Sequence, residues 1–174
     1  DNFNLDKIFP DAKEKINLLD QKLEIEYKTK DLIVKGSGDI LLQNQQDKID
    51  YKFKTNNQIY NFEVIYNIKN NPFDLNILDY KKNIKNNATI KISGGNTVDE
   101  NIKFNLISFD KKNNKINIQN LLINEKNEFI DLDNINFNFS DQNDNINKFE
   151  LVKLKNDYYL QGTTLNADHL IKNF

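Results

Sequence analysis

The sequence predicts an all-β fold, mainly antiparallel, and three observations carry that expectation. Apolar and polar residues alternate with a period of two in one stretch after another. The alternation is plainest from Gln58 to Lys69, where Phe62, Val64, Tyr66 and Ile68 interleave with Asn61, Glu63, Asn67 and Lys69, broken only by Ile65. These stretches are short and joined by turns rich in Asn, Asp, Lys and Gly, as in successive hairpins. No helical pattern intervenes that would serve as a parallel crossover.

Taken in order, residues 1–15 read as a lead-in. Pro10 is followed by Asp11-Ala12-Lys13-Glu14, which predicts a short helical turn. Antiparallel strands are expected over 16–162. Lys22 to Lys28 carries Leu23, Ile25 and Tyr27 on one face, and Asp31 to Leu42 holds Gly36-Ser37-Gly38 at its middle. Glycine inside a strand predicts a bulge, a bend or a close approach. A phosphate loop is excluded there, since Lys-Ser/Thr and a following helix are lacking. Asp47 to Thr55 turns through Asn56-Asn57 into the central strand, which ends at Asn70-Asn71-Pro72.

Phe73, Leu75 and Ile77 begin the next strand, and Lys81 to Asn87 reads as a polar connection. Ala88 to Ser93 is a short strand closed by Gly94-Gly95-Asn96. Strands follow at Asn101 to Asp110, Lys115 to Asn124, Phe129 to Ser140, Phe149 to Lys155 and Tyr158 to Gly162. Over 163–174 the period changes. Thr164 is placed to cap a short terminal helix with Leu165, His169, Leu170 and Ile171 on one face. One apolar face per strand requires a cover: a second sheet, a curl of the same sheet, or a ligand. A closed barrel, a two-layer sandwich and a curved open sheet or groove all fit the alternation.

Composition narrows the function. The 174 residues suit a single β-rich unit of a longer protein, since the chain starts at Asp1 and contains no Met. Any targeting element or anchor is then expected outside 1–174. The 12 Phe and 7 Tyr favour strands. About thirty Asn with no Arg are expected from AT-rich coding rather than from a function. A net charge of -2 argues against nucleic acid as a partner, because phosphate binding needs a basic face. Without Cys, the chain can form neither a disulfide frame nor zinc-thiolate or thiol chemistry.

No stretch reads as an active site, and no enzyme activity, cofactor or metal is expected. His169 is the sole histidine and has only Asp168 beside it, so it lacks the partners of a general base or a metal site. Asp131-Leu132-Asp133 and Asp141 to Asp144 lack the spacing of a calcium loop. Glu24, Glu26 and the outward Lys residues read as the solvated face of strands. With 26 acidic residues, paired carboxylates carry no signal.

Several stretches together resemble the periplasmic AsmA-like family of Gram-negative bacteria, particularly members from AT-rich alphaproteobacteria. They are Ile8-Phe9-Pro10-Asp11-Ala12-Lys13, Gly36-Ser37-Gly38, Lys69-Asn70-Asn71-Pro72-Phe73, Leu106-Ile107-Ser108 ahead of Asn114-Lys115-Ile116-Asn117-Ile118, and Gly162-Thr163-Thr164-Leu165-Asn166-Ala167-Asp168-His169-Leu170-Ile171. Asn166 departs from the Asp usual at that place in the family. The resemblance implies a periplasmic protein held in the inner membrane by a helix outside this segment, related to TamB and to bridge-like lipid carriers. It further implies a β-groove carrying phospholipid acyl chains between inner and outer membrane, with envelope proteins as further partners. Phe62, Val64, Tyr66, Ile68, Ile102, Phe104 and Leu106 are the residues expected to line that groove. The alternative reading is a non-catalytic structural or adhesive β-sandwich, in which the apolar rows cover one another.

Overall fold

The computed structural model describes residues 8–166. Strand-forming alternation gives β1 (Asn17–Lys28), β2 (Asp31–Leu41), β3 (Asp47–Asn56), β4 (Ile59–Ile68), β5 (Phe73–Leu75), β6 (Tyr80–Lys82), β7 (Ala88–Asn96), β8 (Ile102–Lys111), β9 (Asn114–Ile123), β10 (Phe129–Asp131), β11 (Asn134–Ser140), β12 (Ile146–Leu154) and β13 (Asp157–Thr164). Eleven of these form one antiparallel sheet in the order β1-β2-β3-β4-β7-β8-β9-β11-β12-β13, with the short β10 also on β9. β5 and β6 pair as a separate hairpin. The two-residue turns after β1, β3, β8 and β12 begin at positive φ, on Thr29, Asn57, Lys112 and Lys155. That conformation carries the chain round with the hand that twisted strands need.

The sheet is open. β1 and β13 lie at its two ends and are not paired with each other among the described residues. Register assigns the faces. One face carries Lys35, Lys52, Glu63, Lys91, Asn117 and Asn136 and is polar; Glu24 and Glu26 both reach Lys35 there at 3.2 and 3.1 Å. The other face is mainly apolar, with Asp47, Asn96, Asn147 and Lys153 among its polar exceptions. Among the described residues neither expected terminal helix is seen. Residues 11–14 form turn and irregular backbone with Asp11 at φ 60, since the Ala12 N–H bonds back only as far as Phe9 O at 3.0 Å. Thr164 is the last residue of β13, not a helix cap, and residues 167–174, His169 among them, lie outside the described residues.

Three boundaries differ from the sequence reading for stated reasons. Gly94 and Gly95 continue β7 rather than closing it, because neighbouring backbone lies where their Cβ atoms would be: Lys103 O at Gly94 and Tyr60 O at Gly95. Phe129 to Ser140 splits into β10 and β11, as Asp133 turns its N–H to Gln119 O and its carbonyl to Lys153 N. The stretch from Phe73 makes only three strand residues before a 3₁₀ turn (Asn76–Leu78), and the supposed polar connection overlaps β6 at Lys81 and Lys82.

That last difference supplies the cover. Residues 69–87 leave β4, fold over one end of the apolar face and return to β7. The lead-in joins them: Asp74 N–H bonds Ile8 O at 2.9 Å and Lys13 N–H bonds Leu42 O at 2.8 Å. Together they bury Ile40, Leu42, Ile49, Tyr66, Ile68, Ala88, Phe109, Ile116, Phe139 and Phe149 against Phe73 and Tyr80. Rings do most of the packing. Phe73 stacks on Phe109 at 4.9 Å, and Tyr80 meets Phe109 and Phe139 edge-on at 5.3 and 6.1 Å.

Candidate functional site

The other end of the same face has no such cover, and it is the candidate site. Its spine is a single cross-sheet row. Leu23 lies opposite Gly36, which lies opposite Tyr51, then Val64, then Ile92. Ile92 faces Ile107, and the row goes on through Ile118, Ile135 and Leu151 to Leu160. Directly opposed residues share a face. Ten strands therefore contribute ten positions, and none is charged or amide-bearing. Nine steps of ~4.8 Å make this lane ~43 Å long.

A second row lies two residues further out: Ile25, Val34, Phe53, Phe62, Gly94, Phe104 and Leu121. Its glycine sits between two rings. With no side chain on Gly94, Phe62 and Phe104 meet edge-on across β7 at 6.0 Å. Gly36 does the same for Tyr51, whose ring occupies the place a Cβ would take. Both glycines keep the surface level and aromatic, and Gly36 explains the glycine signal seen within the second strand. Most of this face is half-buried by its own neighbours. Exposure rises towards the edges, to 55% at Leu23 and 56% at Leu160.

The seven residues expected to line a groove are divided by the fold. Phe62, Val64, Ile102 and Phe104 lie on the open part of the apolar face. Tyr66 and Ile68 belong to the same face but are sealed beneath residues 69–87, Ile68 completely. Leu106 is on the opposite, polar face. It pairs with Ser93, whereas Phe104 pairs with Gly94, and the intervening bulge turns the strand over. Strict alternation from Ile102 misplaces Leu106 and misses Ile107, which occupies the lane. Sequence reasoning also missed Ile92, Ile118, Ile135 and Leu151, although each lay in a strand already recognised.

Where the cover begins, its anchor is polar and buried. Asp47 accepts the N–H groups of Lys69 and Asn70 at 2.8 Å and the Asn71 amide at 2.7 Å. Asn71 also exchanges hydrogen bonds with Gln45, and Gln43 donates to Pro10 O and Pro72 O at 2.7 and 3.2 Å. Lys82 is fully buried and donates its ammonium to Asn71 O at 2.6 Å and Asn83 O at 3.2 Å. Burial lowers its pKa against the opposing pull of Asp47, with Lys111 lowering it further. The buried Tyr66 hydroxyl is pushed upward by burial and by Asp47, and that of Tyr80 to about 12 by burial.

At the far end the cover reaches the β11–β12 turn, where Gln142 donates to Asp79 through its N–H at 3.0 Å and its amide at 2.9 Å. Asp141 organises that turn. Burial raises its carboxyl, but hydrogen bonds from Asn145, Asn166 and Asn143 outweigh this and hold it below the usual range. The other acidic pair is structural too. Asp131 binds Lys153 at 2.6 Å and Tyr158 at 2.8 Å, and Asp133 accepts from Asn120 at 2.6 Å. Among the described residues no group of three metal-ligating side chains converges.

The open cleft at the covered end, about 910 Å³, is lined by polar residues such as Asp39, Lys48, Asn67 and Thr89. In its lining the Thr89 hydroxyl donates to Asn67 Oδ1 at 3.1 Å. No family model matches the chain, and comparison with curated proteins and with solved structures found no match either.

Proposed function

We propose that the open half of the apolar face carries or shields acyl chains of phospholipid, as a segment of an envelope protein of the AsmA-like kind. One observation carries this reading: the uninterrupted cross-sheet row from Leu23 to Leu160. A packed core needs apolar residues only where something packs on them, yet this row runs from edge to edge, and of its ten members Tyr51 and Val64 are the ones packed against the covered core. An acyl chain laid along it removes apolar surface from water at about 25 cal/mol per Å² on either partner. The head group stays in solvent, and no catalytic residue is needed. The periplasmic location and the inner-membrane anchor belong to the same reading and rest on the sequence resemblance.

A second reading, a structural or adhesive module, is favoured by the covered end, where ring-on-ring packing around Phe109 makes an ordinary core. Native mass spectrometry of the purified chain with lipid extraction decides between them. The expected result is phospholipid that co-purifies with the wild type and is lost in Val64→Asp and Phe104→Asp, with circular dichroism unchanged. A folded wild-type chain that neither retains nor takes up phospholipid from mixed vesicles overturns the lipid reading.

A further inference from the structure

Among the described residues the sheet ends in two strands whose outer sides have no strand partner. Among the described residues β1 pairs only with β2, and β13 only with β12. Their outer N–H and C=O groups form ready-made pairing edges. Ile25, Tyr27 and Leu160 on these strands are 64%, 72% and 56% exposed, and neither strand contains Pro. β1 is blunted only in its first half, by the bulge between Leu19 and Lys22 where the Gln21 amide bonds Leu19 O and Asp39 O. This leaves Lys22–Lys28 regular, a strip matching Asp157–Thr163 of β13 in length.

The geometry points to a second copy of this chain as the partner of these edges, joined head to tail with β13 of one copy against β1 of the next. Strand direction fits first. Ten strands, each antiparallel to the one before, leave β1 and β13 running in opposite senses, so copies set side by side meet antiparallel. Side chains fit second. The turns after β1 and before β13 lie at the same end of the sheet, and aligning them sets Lys28 opposite Asp157. On the apolar face Tyr27 then meets Tyr158 and Ile25 meets Leu160, while Leu23 lies over Gly162. On the polar face Glu26 meets Tyr159 and Glu24 meets Gln161, so no like charges are opposed.

Symmetric pairing of β1 about Ile25 fails that test. β1 paired with β1 of another copy about Ile25 sets Glu24 against Glu26 and Lys22 against Lys28. Head-to-tail pairing uses two different edges and does not close on itself, so it gives chains of copies rather than a dimer. It also carries the apolar face unbroken from one copy to the next, whatever that face binds.

Sedimentation velocity of the 174-residue chain over a range of concentrations tests the proposal. The wild type is expected to form a series extending beyond the dimer as concentration rises. Ile25→Lys and Leu160→Lys each block one of the two edges in every copy, so each variant alone is expected to stay monomeric while keeping its fold by circular dichroism. Mixed together, the two variants retain one intact β13 and one intact β1 between them, and dimer is the expected limit. A wild type that stays monomeric to its solubility limit overturns the proposal. So does a dimer abolished by one of the two variants but untouched by the other, which marks symmetric pairing of β1 or of β13.

Discussion

The division of one face into a covered and an open half predicts unequal costs for the same substitution on a single strand. Phe109 and Phe104 both project from β8 onto the apolar face. Phe109 is 5% exposed, stacked on Phe73 at 4.9 Å and edge-on to Tyr80 at 5.3 Å. Phe104 is half-buried, and its recorded ring neighbour is Phe62 at 6.0 Å. Truncating a core Phe to Ala costs about 3–5 kcal/mol through lost burial plus the cavity left behind. At Phe104 about half the burial is lost and solvent fills the space, so the cost is ~1–2 kcal/mol. With a urea m-value of ~2 kcal/mol/M, the unfolding midpoint falls by ~2 M for Phe109→Ala and by ~0.7 M for Phe104→Ala. Phe73→Ala, in the cover itself, should match Phe109→Ala to within ~1 kcal/mol, and the double variant should be less destabilised than the sum by ~0.5–1.5 kcal/mol. Equal costs at Phe109 and Phe104, or strict additivity with Phe73, would refute the claim that residues 69–87 form a packed cover.

Three other outcomes follow from the geometry. Gly94→Ala forces Lys103 O away from β7 and parts Phe62 from Phe104, so it should lower the thermal midpoint and reduce phospholipid retention together, measured by calorimetry and lipid extraction. Asp141 has a folded pKa below its unfolded value, so its stabilisation is present above about pH 4 and is lost as pH falls through the folded pKa. Urea midpoints of the wild type and Asp141→Ala should therefore differ at pH 7 and converge near pH 2. Lys82 is a base with a depressed folded pKa, so between that pKa and the ordinary lysine value the unfolded chain binds more protons and stability rises with pH. Lys82→Met lacks this rise, and its midpoint should fall further behind the wild type as pH climbs towards the ordinary lysine value.

Much of the sheet was legible because alternation reports a physical requirement position by position. The strands at Lys22–Lys28 and Asp47–Thr55 lie within observed strands, Gln58–Lys69 overruns β4 by one residue at each end, and their Asn- and Lys-rich turns are the observed turns. Errors arose where the cause was not local. Gly94-Gly95 has the local signature of a turn, and only the approach of Lys103 O and Tyr60 O from neighbouring strands keeps it extended. Leu106 follows Phe104 by two residues, and nothing in Phe-Asn-Leu announces the bulge that moves Ile107 into the lane in its place. Lys82 sits among Lys81, Asn83, Lys85, Asn86 and Asn87 and reads as solvated. Its burial depends on the carbonyls of Asn71 and Asn83.

The site was harder to read than the fold because the core and the lane use the same residue types in the same alternation. Phe62 and Tyr66 are two steps of one period on β4, yet Tyr66 is sealed and Phe62 is not. The difference lies in residues 69–87, a stretch with no period of its own. Long-range hydrogen bonds hold it in place, from Asp47 at its start and to Gln142 at its far end. Periodicity locates every side chain that faces inward, but it says nothing about what meets those side chains. Cover is a property of the partner, so an apolar row becomes a candidate ligand surface only once the chain's own capacity to cover it has been used up. Here that capacity fades through Val64 and Tyr51, which still pack partly against the core, and leaves Phe62 and Phe104 beyond it.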